Sequence, residues 1–254
     1  MLQPALTLTG ERTLPGIVSE NYWFRRHQAA YAFLAGRWTG APPPRAGGTA
    51  TLLEVGAGEG YGAAALAPLF DRAIALDYDA AAVRHLQRHY PHLTGCQANL
   101  AALPIRRGSV SALVSLQVIE HVWFPEQFLA ECRRVLAPDG QLVLSTPNRT
   151  TFSPGLGRAQ RPVNPFHVRE FDADELLKLV TGAGFEVVDA LGVHTSLPDH
   201  EELVAAQLRC EPDRWPAALT GAVAAVRVED FSVRADAVAT SLDLMLVARP
   251  GHRA

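Results

Sequence analysis

The chain has 254 residues, 48% of them hydrophobic, and a formal net charge of -3. That apolar content can build a sizeable core and argues against disorder, and the charge balance lacks the basic footprint of a nucleic-acid binder. No apolar run reaches membrane-spanning length and no basic-then-apolar leader opens the chain, so a cytoplasmic protein without a membrane span is expected.

Residues 19–36 read as an amphipathic helix with Ser19 as its cap, and GAPPPRAGG (Gly40 to Gly48) reads as a flexible join. Strands are then predicted at 51–55, 73–77, 93–98, 110–116, 141–146, 185–191 and 242–248. Helices are predicted between them at about 60–69, 79–90, 126–136 and 173–181. The helix at 173–181 is well signalled: Asp172 can cap it with Glu175 three residues on, and Gly182 and Gly184 follow as stops. Alternation of this kind indicates an α/β fold, a mostly parallel sheet with helices on both faces. Residues 198–240 interrupt it, look mainly helical, and are too long for bare loop. A small cap or a homodimer contact is expected there. Cys96, Cys132 and Cys210 are odd in number and widely spaced, fit no zinc pattern, and read as reduced thiols.

The strongest local signal is LEVGAGEGYG, a strand running into a turn of Gly56, Ala57, Gly58 and Gly60. Glycine permits positive φ and close approach of a ligand to the main chain. Alone, such a turn is either structural or part of a dinucleotide site. Gly58, Gly60 and Ala63 satisfy G-x-G-x-x-A, but counting from Gly56 the third position is Tyr61, too bulky for close helix–strand contact. Glu54 at the strand end would repel a diphosphate and suits an ammonium-bearing ligand. Asp77 ends the second strand about 20 residues on, where a carboxylate can accept hydrogen bonds from ribose hydroxyls.

With these residues the sequence resembles the class I S-adenosylmethionine-dependent methyltransferases. LLEVGAGEG is similar to their first motif, ALDYD to the second-strand acid, QANLAALP to their G-D-A-x-x-L-P segment, and VSLQVIEHV to the fourth-strand motif beneath the methionine part of the cofactor. The resemblance implies S-adenosyl-L-methionine as cofactor and a Rossmann-like seven-stranded sheet with an antiparallel last strand. It implies a single domain over 1–254, with a lid helix at 19–36, a cofactor-binding core at 49–150 and the insertion at 198–240. Asn99 stands where the family usually has an adenine-reading aspartate, and Leu100 can offer its backbone N–H to the ring. Tyr61, Tyr78 and Gln117 join the cofactor set, with Gln117 packing near the methionyl group. Tyr22 and Arg26 share a helix face, from which Arg26 could meet the cofactor carboxylate. LTLTGERT (residues 6–13), ENYWFRRHQ, STPNRTTFSPG, NPFHVRE and SLDLMLVARP further resemble the actinobacterial O-methyltransferases of polymethylated polysaccharides, the methylglucose lipopolysaccharide 6-O-methyltransferase family. A carbohydrate acceptor is thus implied, with a small phenolic or quinone metabolite as the alternative acceptor and a non-catalytic cofactor-binding protein as the alternative class.

Methyl transfer to a hydroxyl needs alignment with the S–CH₃ bond and benefits from a general base. His121, just past the fourth strand, is the favoured base; His167 in NPFHVRE is the next candidate, while His27 and His194 read as packing residues. Glu120 orients His121, caps the following helix, or binds a metal with His121. The metal reading rests on a resemblance to quinone-biosynthesis O-methyltransferases, whose acid-x-x-Glu-His motif holds a metal such as Mg2+. Gln117 replaces the first acid here, which ranks that reading second. Tyr22, Trp23, Phe24, Trp123 and Phe124 cluster at the expected mouth, as sugar-stacking residues or as lid packing. Asn148, Asn164 and Arg169 offer polar contacts, either to hydroxyls or to their own loop.

Overall fold

The computed structural model describes residues 6, 12–209 and 211–251. Cys210 and most of LTLTGERT lie outside them.

Eight strands form one sheet: β1 (Thr51–Val55), β2 (Arg72–Asp77), β3 (Thr94–Gln97), β4 (Val110–Leu116), β5 (Leu136–Pro147), β6 (Phe185–Thr195), β7 (Phe231–Arg234) and β8 (Asp243–Pro250). Their order is β3-β2-β1-β4-β5-β8-β6-β7. β1 to β5 are mutually parallel, while β8 runs antiparallel to both β5 and β6. The parallel strands are buried on both faces, so β1 and β4 are hydrophobic or small throughout, Glu54 excepted.

Side chains alternate between two cores. Leu53, Val55 and Leu113 point into one, with Phe128 and Leu129 of α4 (Pro125–Val135) and Leu176 and Val180 of α6 (Ala173–Gly182). Leu52, Ala112 and Val114 point into the other, with Leu34 and Trp38 of α1 (Asn21–Gly40), Leu66 of α2 (Tyr61–Leu66) and Leu86 of α3 (Ala80–His89). Helices therefore cover both faces. The predicted capping box of α6 is present, with Glu175 N donating to Asp172 Oδ1 and Asp172 N to Glu175 Oε2, each at 2.9 Å.

Three expectations need correction. Ser19 does not cap α1: it lies in a 3-10 turn, Val18–Glu20, and the helix starts at Asn21 after Glu20, which makes no side-chain cap bond. The helix also runs to Gly40, because Leu34 and Trp38 still face the core there. The sheet has eight strands rather than seven. The 198–240 segment contributes α7 (His200–Leu208) and α8 (Ala217–Ala225) as expected, but also β7, which pairs with β6 and adds an edge. Val223, Val226 and Phe231 of this segment pack on Tyr22 and Ala29, so the insertion supports the start of α1. Among the described residues no helix is long and apolar enough to cross a membrane.

Two glycines separate helix propensity from packing. A Cβ at Gly62 would lie 2.2 Å from Tyr31 Cζ and 2.5 Å from Glu54 Oε1, whereas one at Gly36 in α1 meets nothing within 4 Å. Both gain roughly 1 kcal/mol of helix propensity on becoming alanine, but overpacking costs about 1–3 kcal/mol. Thermal or urea melts should therefore show Gly36→Ala more stable and Gly62→Ala less stable than the parent chain. Stabilisation by both would contradict this packing.

Candidate active site

The strand order reverses between β1 and β4, the switch point where doubly wound sheets hold ligands. A cleft of about 1010 Å³ opens there at the strands' carboxyl ends. Gly56, Ala57, Gly58, Tyr61, Asp77, Tyr78, Asn99, Leu100, Gln117 and His121 all line it. Tyr22, Arg26, Glu54, Gly60, Glu120 and His167 do not.

The glycine turn is shaped by close approach. Gly56 has φ 76°, and a Cβ on it would stand 2.4 Å from Val118 Cγ2. Gly56 N and Ala57 N both donate to Leu76 O, at 2.8 and 2.9 Å, which ties the turn to the end of β2. Asp77 then accepts from Gly58 N at Oδ2 and from Asp79 N at Oδ1, each at 2.8 Å. Each oxygen keeps a second lone pair, which suits paired ribose hydroxyls. Asn99 sits exposed at the rim, with Oδ1 accepting from Ala101 N at 2.9 Å.

Four expected cofactor residues sit behind the cleft wall. Gly60 closes the turn at φ 101° against Leu86 and Tyr90. Glu54 accepts from Tyr31 OH at 2.5 Å and lies against Gly62. Burial pushes its carboxyl up to about 7, with the Tyr31 hydrogen bond pulling the other way. Tyr22 is fully buried, edge-on to Phe231. Arg26 is not held at the mouth. Its Nε lies 3.1 Å from Asp243 Oδ2, both side chains are buried, and NH2 donates to Gln117 Oε1 at 3.3 Å. A buried guanidinium needs a charged partner, and the first residue of β8 supplies it. Gln117 is held in left-handed backbone (φ 57°) and donates from Nε2 to Ser145 Oγ at 3.1 Å. That strain is characteristic of functional positions.

At the other end of the cleft three expected residues converge. Ligand-capable atoms of Glu120, His121 and His167 all lie within 4.8 Å of one another. His121 and His167 meet edge-to-face with ring centroids 5.0 Å apart. The loop after β5 is pinned to the turn after β4, since Val168 N and Arg169 N both donate to Glu120 O. Burial pushes the Glu120 carboxyl up, and the two histidines oppose that shift. Trp123 and Phe124 line the same end, 77% and 69% exposed, large aromatic faces left open to a ligand. Trp23 does not join them: it packs with Tyr22 and Phe152 and lies under the Arg26 guanidinium. Phe24 packs edge-on to Tyr61.

The magnesium expectation does not match this donor set. Mg2+ favours oxygen ligands in an octahedron. Here two of the three donors are imidazoles, and the Gln117 amide is committed to Ser145 and Arg26. Of the loop polar residues, Asn148 caps α5 (Arg149–Phe152) and donates to Ala239 O and Ser241 O, a structural role. Asn164 bonds to His167 and to Phe166 N.

Sequence reasoning missed three features of the site. His27, read as packing, lines the cleft and meets Tyr61 OH through Nδ1 at 2.9 Å. Burial, and then Arg26, lower its pKa to about 3, so it stays neutral and cannot take up a proton near neutral pH. Arg12 and Thr13 also line the cleft, with Arg12 paired to Asp79 at 2.7 Å. Glu170, buried beside His167, went unremarked in NPFHVRE, although its spacing of three from the histidine was there to be read.

The methyltransferase domain model matches residues 53–144. A "Probable S-adenosylmethionine-dependent methyltransferase" of Mycolicibacterium smegmatis is 46% identical over 97% of this chain and 96% of its own length. A counterpart so described from Mycobacterium tuberculosis is 44% identical over 96% of this chain and 89% of its own. Among solved structures, a S-adenosylmethionine-dependent methyltransferase from Thermotoga maritima superposes with a TM-score of 0.61 at 18% identity, covering 90% of this chain and 93% of that one. That likeness shows the fold.

The Glu54 shift has a definite sign. Its folded value near 7 lies above the ordinary 4.5, so the folded chain holds a proton that the unfolded chain has lost. The associated stability is complete below pH 4.5 and is lost as pH rises through about 7. Glu54→Gln should flatten that decline, gaining on the parent in melts at pH 8 relative to pH 5. A difference independent of pH would show that Glu54 titrates normally.

Proposed function

Because this chain belongs to the S-adenosylmethionine-dependent methyltransferases, we propose that it methylates a hydroxyl oxygen, and that the acceptor is a glucose-type sugar of an oligo- or polysaccharide. One observation carries the acceptor reading: the Glu120–His121–His167 cluster lies beside Trp123 and Phe124, whose exposed rings border the cleft. Sugars present apolar C–H faces that pack on such rings, and their hydroxyls need help to lose a proton. The near-full-length similarity to mycobacterial methyltransferases supports methyl transfer itself, and the sequence resemblance to polysaccharide O-methyltransferases supports the sugar.

In this reading the glycine turn and Asp77 hold the adenosyl part, and Gln117 borders the methionyl part. The acceptor oxygen approaches from the His121 end. Bound in this cleft, S-adenosyl-L-methionine would supply a methyl already activated on sulfonium, which would pass to the oxygen as the S–C bond broke and left the neutral thioether. The hydroxyl proton leaves to His121. Nδ1 of that ring faces Phe166 O at 3.1 Å, so Nδ1 carries the hydrogen and Nε2 the lone pair. Alignment can lower the barrier by roughly 7–11 kcal/mol and a general base adds about 10²- to 10⁴-fold.

Incubation with methyl-labelled cofactor and a panel of acceptors tests the acceptor. Label should enter oligosaccharide; label entering phenols alone would overturn the sugar reading, and tight cofactor binding with no transfer would favour a non-catalytic role. Asp77→Ala should weaken cofactor binding about 10- to 100-fold by calorimetry, the worth of charge-assisted hydrogen bonds; unchanged affinity would remove Asp77 from the ribose site. His121→Ala should lower kcat by at least about 100-fold with little change in cofactor affinity.

A further inference from the structure

We propose that Glu120, His121 and His167 form a binding site for a divalent first-row transition ion at the acceptor end of the cleft. Two imidazoles and one carboxylate make a donor set for such ions, not for magnesium. One donor pair comes from the turn after β4 and the third from the loop after β5, and the hydrogen bonds of Val168 N and Arg169 N to Glu120 O lock the two together.

Each donor is presented in the form that a metal requires. His121 Nδ1 faces the Phe166 carbonyl at 3.1 Å and must donate to it. His167 Nδ1 faces Glu170 Oε1 at 2.6 Å and donates to that carboxylate. Both rings are thereby held in the tautomer whose lone pair is on Nε2. A backbone carbonyl behind one histidine and a carboxylate behind the other are the supports that metal-ligating histidines have. His167 Nε2 accepts from Asn164 Nδ2 at 2.9 Å, and that amide's orientation is set by Phe166 N donating to its Oδ1 at 3.0 Å. An ion would take the place of this single neutral donor.

The carboxylate supplies the independent observation. Glu120 is 1% exposed. Its Oε2 accepts from Thr146 Oγ1 at 3.0 Å, but Oε1 is buried with no hydrogen-bond partner. Glu170 Oε2 is orphaned in the same way. Among the described residues neither carboxylate pairs with an arginine or lysine. A buried carboxylate oxygen without a partner is costly, and a dication held by Glu120 and the two imidazoles offsets that cost. Bonds of about 2.1 Å need donors roughly 3 Å apart, so binding would draw the three side chains inward.

The inference rests on the reading that the acceptor oxygen meets His121, and it changes that residue's task. An ion held by Glu120, His121 and His167 would supply a Lewis acid that eases loss of the hydroxyl proton to water, and His121 would be a ligand instead of the proton acceptor.

Binding is tested on the full chain after chelator treatment and dialysis, without cofactor or acceptor. Mn2+ titrations followed by electron paramagnetic resonance, and Co2+ titrations followed by visible absorption, should each reach one ion per chain. The Co2+ spectrum should show nitrogen ligation. His121→Ala and His167→Ala should weaken Mn2+ binding by at least about 10-fold. Glu120→Gln should do the same; because Glu120 is buried and its variant can misfold, the partly exposed His121 carries the decision. Absence of stoichiometric binding of either ion, or binding unaltered in His121→Ala, would overturn the proposal. The label-transfer assay separates the two readings. Transfer to sugar that persists with no ion bound would remove the metal and leave the base. Histidine-dependent ion binding with no transfer to any hydroxyl would keep the site and remove the acceptor reading.

Discussion

The cleft depends on two chain reversals pressed together at the carboxyl ends of β1 and β4. Gly56 and Val118 approach so closely that any side chain at position 56 would collide, at 2.4 Å, with Val118 Cγ2. Parallel strands buried on both faces hold few polar side chains along their length, Glu54 and the small Ser111 and Ser115 among them. Polar residues are therefore displaced to the strand ends, and the tight approach gathers those ends around one opening. Asp77, Gln117 and His121 reach the same cleft for this reason.

Charge is distributed unevenly about that opening. At the glycine-turn end Asp77 is only partly buried, with each oxygen held by a backbone N–H. Beneath the middle, Arg26 and Asp243 form a buried ion pair, and Arg26 donates to the Gln117 amide oxygen. Burial lifts the Asp243 carboxyl to about 6 while Arg26 holds it down. At the far end Glu120 and Glu170 are buried beside two histidines. In the proposed reading a cationic sulfonium and an acceptor hydroxyl make opposite demands on their surroundings, and this division of polar groups would give each a separate part of the cleft.

Much of the fold was legible because its signals are local. A glycine turn after an apolar run, an acid at the end of the next run, and Asp172 with Glu175 before a helix are all patterns within a few residues, and each formed as read. Where a local pattern competed with packing, packing won. Ser19 looked like a cap, but the chain makes a 3-10 turn there so that Tyr22 can bury against Phe231. The segment before β8 looked helical, yet part of it extends as β7 because the edge of β6 offers a ladder.

Sequence by itself determined the strand and helix alternation, the glycine turn, Asp77 at the end of β2, and the Glu120–His121 pair at the end of β4. These follow from periodicity and from which residues tolerate a tight turn. Only the tertiary structure decided that His167 joins that pair, that Glu170 supports it, that Arg26 belongs to Asp243, and that His27 reaches the cleft. Such partners are far apart in the chain. Their meeting depends on how β8 inserts between β5 and β6 and how α1 crosses the sheet, because burying charge and apolar surface together selects one arrangement that no short spacing encodes.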